Sequence, residues 1–133
     1  MTESEKIYQV LKDYFSQQNE IDTVLLFGSF AKKTFNAHSD IDIAIHSNSP
    51  LEYETLVKIQ TELSLLTHRE IDLVDLSEAD GIFLYQIMTT GIKIKISPVI
   101  FVKYLTKALC FREDFLPTLQ YFRGEKIRRA LNG

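Results

Sequence analysis

Apolar residues along this chain recur with two different periods. Over residues 3–18 they fall at Ile7, Val10, Leu11, Tyr14 and Phe15, the spacing of one helical face, with Thr2 or Ser4 available as N-cap. Residues 23–27 (TVLLF) form a short apolar run that stops at Gly28, which predicts a buried strand. GSFAKK then predicts a brief helical turn with Ser29 at its start. Residues 40–45 (DIDIAI) alternate: Ile41, Ile43 and Ile45 face one side, Asp40, Asp42 and Ala44 the other. Residues 51–66 predict a helix with Leu56, Ile59, Leu63 and Leu66 on one stripe. A strand at 71–76, a helix at 78–89 and a strand at 92–96 follow. Ser97 and Pro98 make a good helix start, and that helix is expected to run to about residue 122, before a basic tail.

Interleaved strands and helices predict an α/β (α+β) fold, a small mixed sheet flanked by helices. The length of 133 residues fits a single domain over 1–133, with a core at about 20–96 and a C-terminal helical segment at about 97–130. Fifteen Lys and Arg against 18 Asp and Glu leave a formal charge of -3, which argues against a general nucleic-acid binder. The lone Cys110 offers no intramolecular disulfide, and no Cys/His cluster has zinc spacing. The charged N-terminus lacks a signal-like apolar run, and no segment approaches the ~20 apolar residues of a membrane span. A reduced, cytoplasmic setting with no membrane association is the expectation.

Candidate chemistry concentrates in residues 28–45. Gly28 ends a strand and lets the backbone turn without a side chain in the way of a phosphate. Ser29 offers a hydroxyl and an amide at a helix N-terminus, a ready anion site. Asp40 and Asp42 share one face of a strand. Two such charges ~4 Å apart repel by about 4 kcal/mol at an effective dielectric near ~20, so a partly buried pair calls for a cation. Mg²⁺ prefers oxygen ligands and often bridges one or two carboxylates to substrate phosphates. Asp72, near the start of the strand 71–76, reaches the same face if the two strands pair, as a third ligand and as acceptor of a proton from an attacking hydroxyl. Asp75 falls on the other face. Each half also has an ordinary structural reading: a Gly-Ser turn with a helix cap, and an acidic face of an edge strand.

Gly28-Ser29, ten intervening residues and Asp40-Ile41-Asp42 match the G-S-x10-D-x-D signature, and the chain resembles the DNA polymerase β-like nucleotidyltransferase superfamily. An apolar strand before the glycine, Ala31 and Lys32 after it, and Ser39 directly before Asp40 agree with that pattern. The resemblance covers roughly residues 20–96 and is nearest to the minimal nucleotidyltransferases that serve as antitoxins. It implies a polymerase β-like fold and transfer of AMP from ATP, with Mg²⁺, to a tyrosine of a cognate HEPN-domain ribonuclease toxin. Gly28, Ser29, Lys32 and Ser39 would bind nucleotide; Asp40, Asp42 and Asp72 would be the catalytic metal ligands. Many relatives carry Arg-Gly where this chain has Lys32-Lys33, which removes a bidentate fork from the loop. Two other functions fit the same residues: a module that masks the toxin without catalysis, and nucleotidyl transfer to a small molecule such as an aminoglycoside.

Among the remaining residues, His38, His46 and His68 lack metal-like spacing, and Lys93 and Lys95 suggest a half-exposed edge strand. The aromatic-rich last helix, from Phe101 to Phe122, is either a partner-binding face or a cover for the sheet.

Overall fold

In a computed structural model, residues 2–31, 36 and 39–111 are described. The first helix, α1 (Glu3–Ser16), opens with the Thr2 hydroxyl accepting the Glu5 amide at 3.2 Å and buries Ile7, Leu11 and Phe15. The strands β1 (Ile21–Phe27), β2 (Ile41–Ser47), β3 (Ile71–Asp75) and β4 (Ile92–Lys95) form one sheet in the order β3-β2-β1-β4. β1 is antiparallel to both neighbours, while β2 and β3 run parallel, so the sheet is mixed as expected. The parallel pair is joined by α2 (Tyr53–Thr67), and β3 is joined to β4 by α3 (Gly81–Thr90). A further helix, α4, starts at 98 and continues to 111, the end of the described stretch.

Both faces of the sheet are covered, which is why β1 reads as a continuous apolar run. On one face α1 and α2 bury Leu11, Phe15, Ile59 and Leu63 against Val24, Leu26, Ile41, Ile43 and Ile45. On the other face α3 and α4 bury Leu84, Ile87, Tyr104 and Ala108 against Leu25 and Ala44. The small side chain of Ala44 lets this second layer sit close. One edge of the sheet is β4, where Lys93 is exposed. Lys95 does more than guard that edge: its Nζ donates to the carbonyls of Phe15 and Gln18 at 3.0 and 3.1 Å, a cation at the C-terminus of α1.

Four expectations are corrected. Asp40 lies just before β2 rather than on it, because the ladder opens with the Ile41 amide donating to the Glu70 carbonyl at 2.9 Å. Leu66 is 53% exposed and leaves the α2 stripe, whose buried members are Ile59 and Leu63. The helix expected at 78–89 begins at Gly81; before it, the Asp75 carboxylate accepts from the Ser77 amide and holds Leu76–Glu78 in a 3₁₀ turn. Residues 28–31 are a turn, and the rest of the expected helical turn, with Lys32, lies outside the described residues. The part of the last helix beyond 111 lies outside them too.

Candidate active site

The site forms where β1 ends and both β2 and β3 begin. Phe27, the last residue of β1, pairs with Asp42, so the turn at Gly28 passes beside the Asp42 carboxylate. Gly28 holds φ +72°, a left-handed conformation that glycine adopts without steric cost. A Cβ there would collide with Oδ2 of Asp42, so the glycine serves both the turn and the room around the carboxylate. Phe30 is buried and anchors the turn, and Ser29 is half-buried within it.

Asp42 and Asp72 occupy paired positions on adjacent parallel strands. The strand pairing that Asp72 required is therefore present, and the two carboxylates stand on one face of neighbouring strands, which lie about 4.8 Å apart. Asp42 is half-buried; Asp40 and Asp72 are exposed. Burial raises the Asp42 carboxyl above its ordinary range, and the neighbouring charges of Asp72 and Asp40 raise it further. Asp42 therefore carries the repulsion of both neighbouring carboxylates, and a bound cation would relieve it. Among the described residues no three acidic, His or Cys side chains are already converged in a metal-binding arrangement. The donor set suits a hard cation that takes carboxylates together with phosphate oxygens rather than a closed protein cage.

The Ser39 hydroxyl accepts the Asn36 amide at 2.8 Å and shapes the approach to Asp40. Two features escaped the sequence reading. Phe83 of α3 packs edge-on against Phe27 at 5.6 Å between ring centroids, an aromatic wall bordering the carboxylates. Arg69, a buried arginine, hydrogen-bonds the loop leading into Asp40. The histidines divide as structural groups. His46 Nδ1 lies 2.9 Å from Asp22, and its ring packs on Tyr104. His68 caps α2 at φ 56°. His38 lies outside the described residues. A cleft of about 470 Å³ lined by Asp22, His46, Asp75 and Ser77 opens at the other end of β2 from Asp42.

With this geometry in view, the sequence model of the family described as Polymerase beta, Nucleotidyltransferase matches residues 9–97, from α1 through β4. The chain belongs to the polymerase β nucleotidyltransferase family. This nucleotidyltransferase is 30% identical over 86 residues to the protein adenylyltransferase MntA of Shewanella oneidensis. That match covers 65% of this chain and 60% of the relative's length. It is 27% identical over 74 residues to a putative protein adenylyltransferase of Methanocaldococcus jannaschii, covering 56% of this chain and 76% of the relative. Among solved structures it matches a toxin–antitoxin complex with AMP-PNP at TM-score 0.68 and 23% identity, over 90% of this chain and 96% of that one. It also matches a complex of a tri-AMPylated Shewanella oneidensis HEPN toxin with MNT antitoxin at TM-score 0.64 and 20% identity, over 93% and 98% of the two chains. These structural matches establish the fold. Among the described residues no helix is long and apolar enough to cross a membrane.

Proposed function

We propose that this nucleotidyltransferase is an antitoxin that transfers AMP from ATP to a tyrosine of a HEPN-domain toxin and so silences it. The observation that carries the reading is the placement of Asp42 and Asp72 in register beside the Gly28 turn, with Asp40 at the mouth of the same site. The adenylyltransferase relatives, and the toxin complexes that share the fold, favour a protein acceptor.

In this reading the Gly28-Ser29 turn and Lys32 hold the triphosphate, and Ser39 fixes the loop that carries Asp40. Asp40, Asp42 and Asp72 would hold Mg²⁺, which when bound would supply positive charge against the phosphates. The tyrosine oxygen attacks the α-phosphorus, the bond to the bridging oxygen breaks, and pyrophosphate leaves with that electron pair. Asp72, on the exposed side of the site, accepts the tyrosine proton. Exclusion of competing water is left to the docked toxin.

The surface of α4 supports a protein partner. Its inner stripe, Tyr104 and Ala108, is buried against the sheet, while Val99, Val102 and Leu109 stand 78%, 59% and 40% exposed on the outside. The helix covers the sheet, one of the two alternatives its composition offered, and its exposed outer stripe is where a docked partner would lie. The test is incubation with Mg²⁺, labelled ATP and the cognate toxin. Label on the toxin is expected with the wild-type chain and absent with Asp40→Ala/Asp42→Ala. Neutralisation undiminished in that double variant, with no label on the toxin, would favour masking instead.

A further inference from the structure

Arg69 sits between α2 and β3, directly after the left-handed His68. Its side chain is only 5% exposed. A buried guanidinium has a high desolvation cost and persists only where its donors are used. Nη1 donates to the carbonyl oxygens of Asn36 and Ser39 at 2.7 and 3.1 Å, and Nη2 donates to the Glu3 carboxylate of α1 at 2.8 Å. The next residue, Glu70, accepts the Ile41 amide at 2.9 Å through its carbonyl.

These contacts bracket Asp40. Ser39, before it, is held by the Arg69 side chain; Ile41, after it, is held by the backbone one residue beyond Arg69. Three residues further along the same strand start stands Asp72. Asp40 itself precedes the sheet ladder, so its position depends on this bracket more than those of Asp42 and Asp72, which are fixed by strand pairing.

We propose that Arg69 is a positioning residue that sets Asp40 against Asp42 and Asp72 for metal and nucleotide. The inference rests on the nucleotidyltransferase reading of the site. The planar fork suits two main-chain carbonyls and a carboxylate at once, which a lysine ammonium does not reproduce.

The test is equilibrium binding of AMP-PNP to the full chain across a Mg²⁺ titration. Arg69→Ala is expected to raise the half-saturating Mg²⁺ concentration by about tenfold, the scale seen when a group supporting a metal ligand is removed. In an Asp40→Asn background the same substitution is expected to add less than about twofold, because the two residues act as one unit. A tenfold shift in both backgrounds, or an unmoved Mg²⁺ midpoint, overturns the role, since a merely structural plug lowers the folded fraction without moving the midpoint. Should Arg69→Ala fail to fold, Arg69→Lys keeps the charge and loses the fork; a midpoint equal to wild type then overturns the proposal. Wild-type protein that binds no AMP-PNP in a Mg²⁺-dependent way overturns the nucleotidyltransfer reading itself. Metal-dependent binding with unmoved midpoints in the variants overturns only Arg69.

Discussion

Asp42 and Asp72 occupy paired positions across the parallel β2/β3 pair, and the charge of Asp72 raises the cost of ionising Asp42. The half-buried member, Asp42, has its carboxyl raised, chiefly by burial and then by Asp72 and Asp40. A carboxyl raised by folding contributes stability below its unfolded pKa and loses that contribution as pH rises through the folded one. Near neutral pH in chelator, Asp42→Asn is therefore expected to raise the thermal midpoint modestly, with the gain shrinking as the buffer is taken down toward the ordinary carboxylate range. With Mg²⁺ and AMP-PNP the order reverses, because only the wild type gains from the ligand. Thermal melts at several pH values, with and without metal, check both halves.

Gly28→Ala isolates the turn. The left-handed backbone alone costs a residue with a side chain about 1–2 kcal/mol, and the new methyl meets the Asp42 carboxylate. Chemical denaturation is expected to show a loss of at least this size, with a larger proportional loss in AMP-PNP affinity. Full stability and full affinity would contradict the close approach of turn and carboxylate.

Much of this site could be read from the sequence, and the reasons are physical. The alternation of DIDIAI survives because Ile41, Ile43 and Ile45 are all buried on one face. That burial fixes the register and thereby the direction of Asp42. Pairing with β3 then followed the same logic, and it brought Asp72 to the expected place. The misplacements are long-range effects. Asp40 leaves the strand because the first rung is set by Glu70, some thirty positions away in the chain. The start of α3 moved because the Asp75 side chain competes locally for the Ser77 amide. Arg69 was invisible to period or spacing, since its partners Glu3, Asn36 and Ser39 belong to other segments. The one signal available was an arginine two positions before the first residue of an apolar strand.

The shared core beneath the site gives a control. Phe15 is fully buried between α1 and the sheet, remote in sequence from the carboxylates. Phe15→Ala is expected to cost about 3–5 kcal/mol. Calorimetry should show the lowered midpoint, while the Mg²⁺ dependence of AMP-PNP binding by the remaining folded protein stays where it was.

Asp72→Asn separates binding from chemistry. It keeps the shape and one acceptor oxygen but cannot take a proton from the acceptor. Loss of a general base typically costs about 10²–10⁴-fold in rate. Rapid-mixing kinetics of toxin labelling at saturating Mg²⁺ and ATP should show that fall in kcat. An unaltered rate would move the proton-accepting role away from Asp72.

The most direct measurement of the central claim is the position of the transferred label. The purified chain is incubated with its cognate toxin, Mg²⁺ and ATP labelled at either the α- or the γ-phosphate. Transfer of AMP predicts that α-label appears on a toxin tyrosine with pyrophosphate released one for one, that γ-label never does, and that Asp40→Ala/Asp42→Ala abolishes the signal. Label from the γ-phosphate on the toxin, or α-label that persists in the double variant, would contradict it.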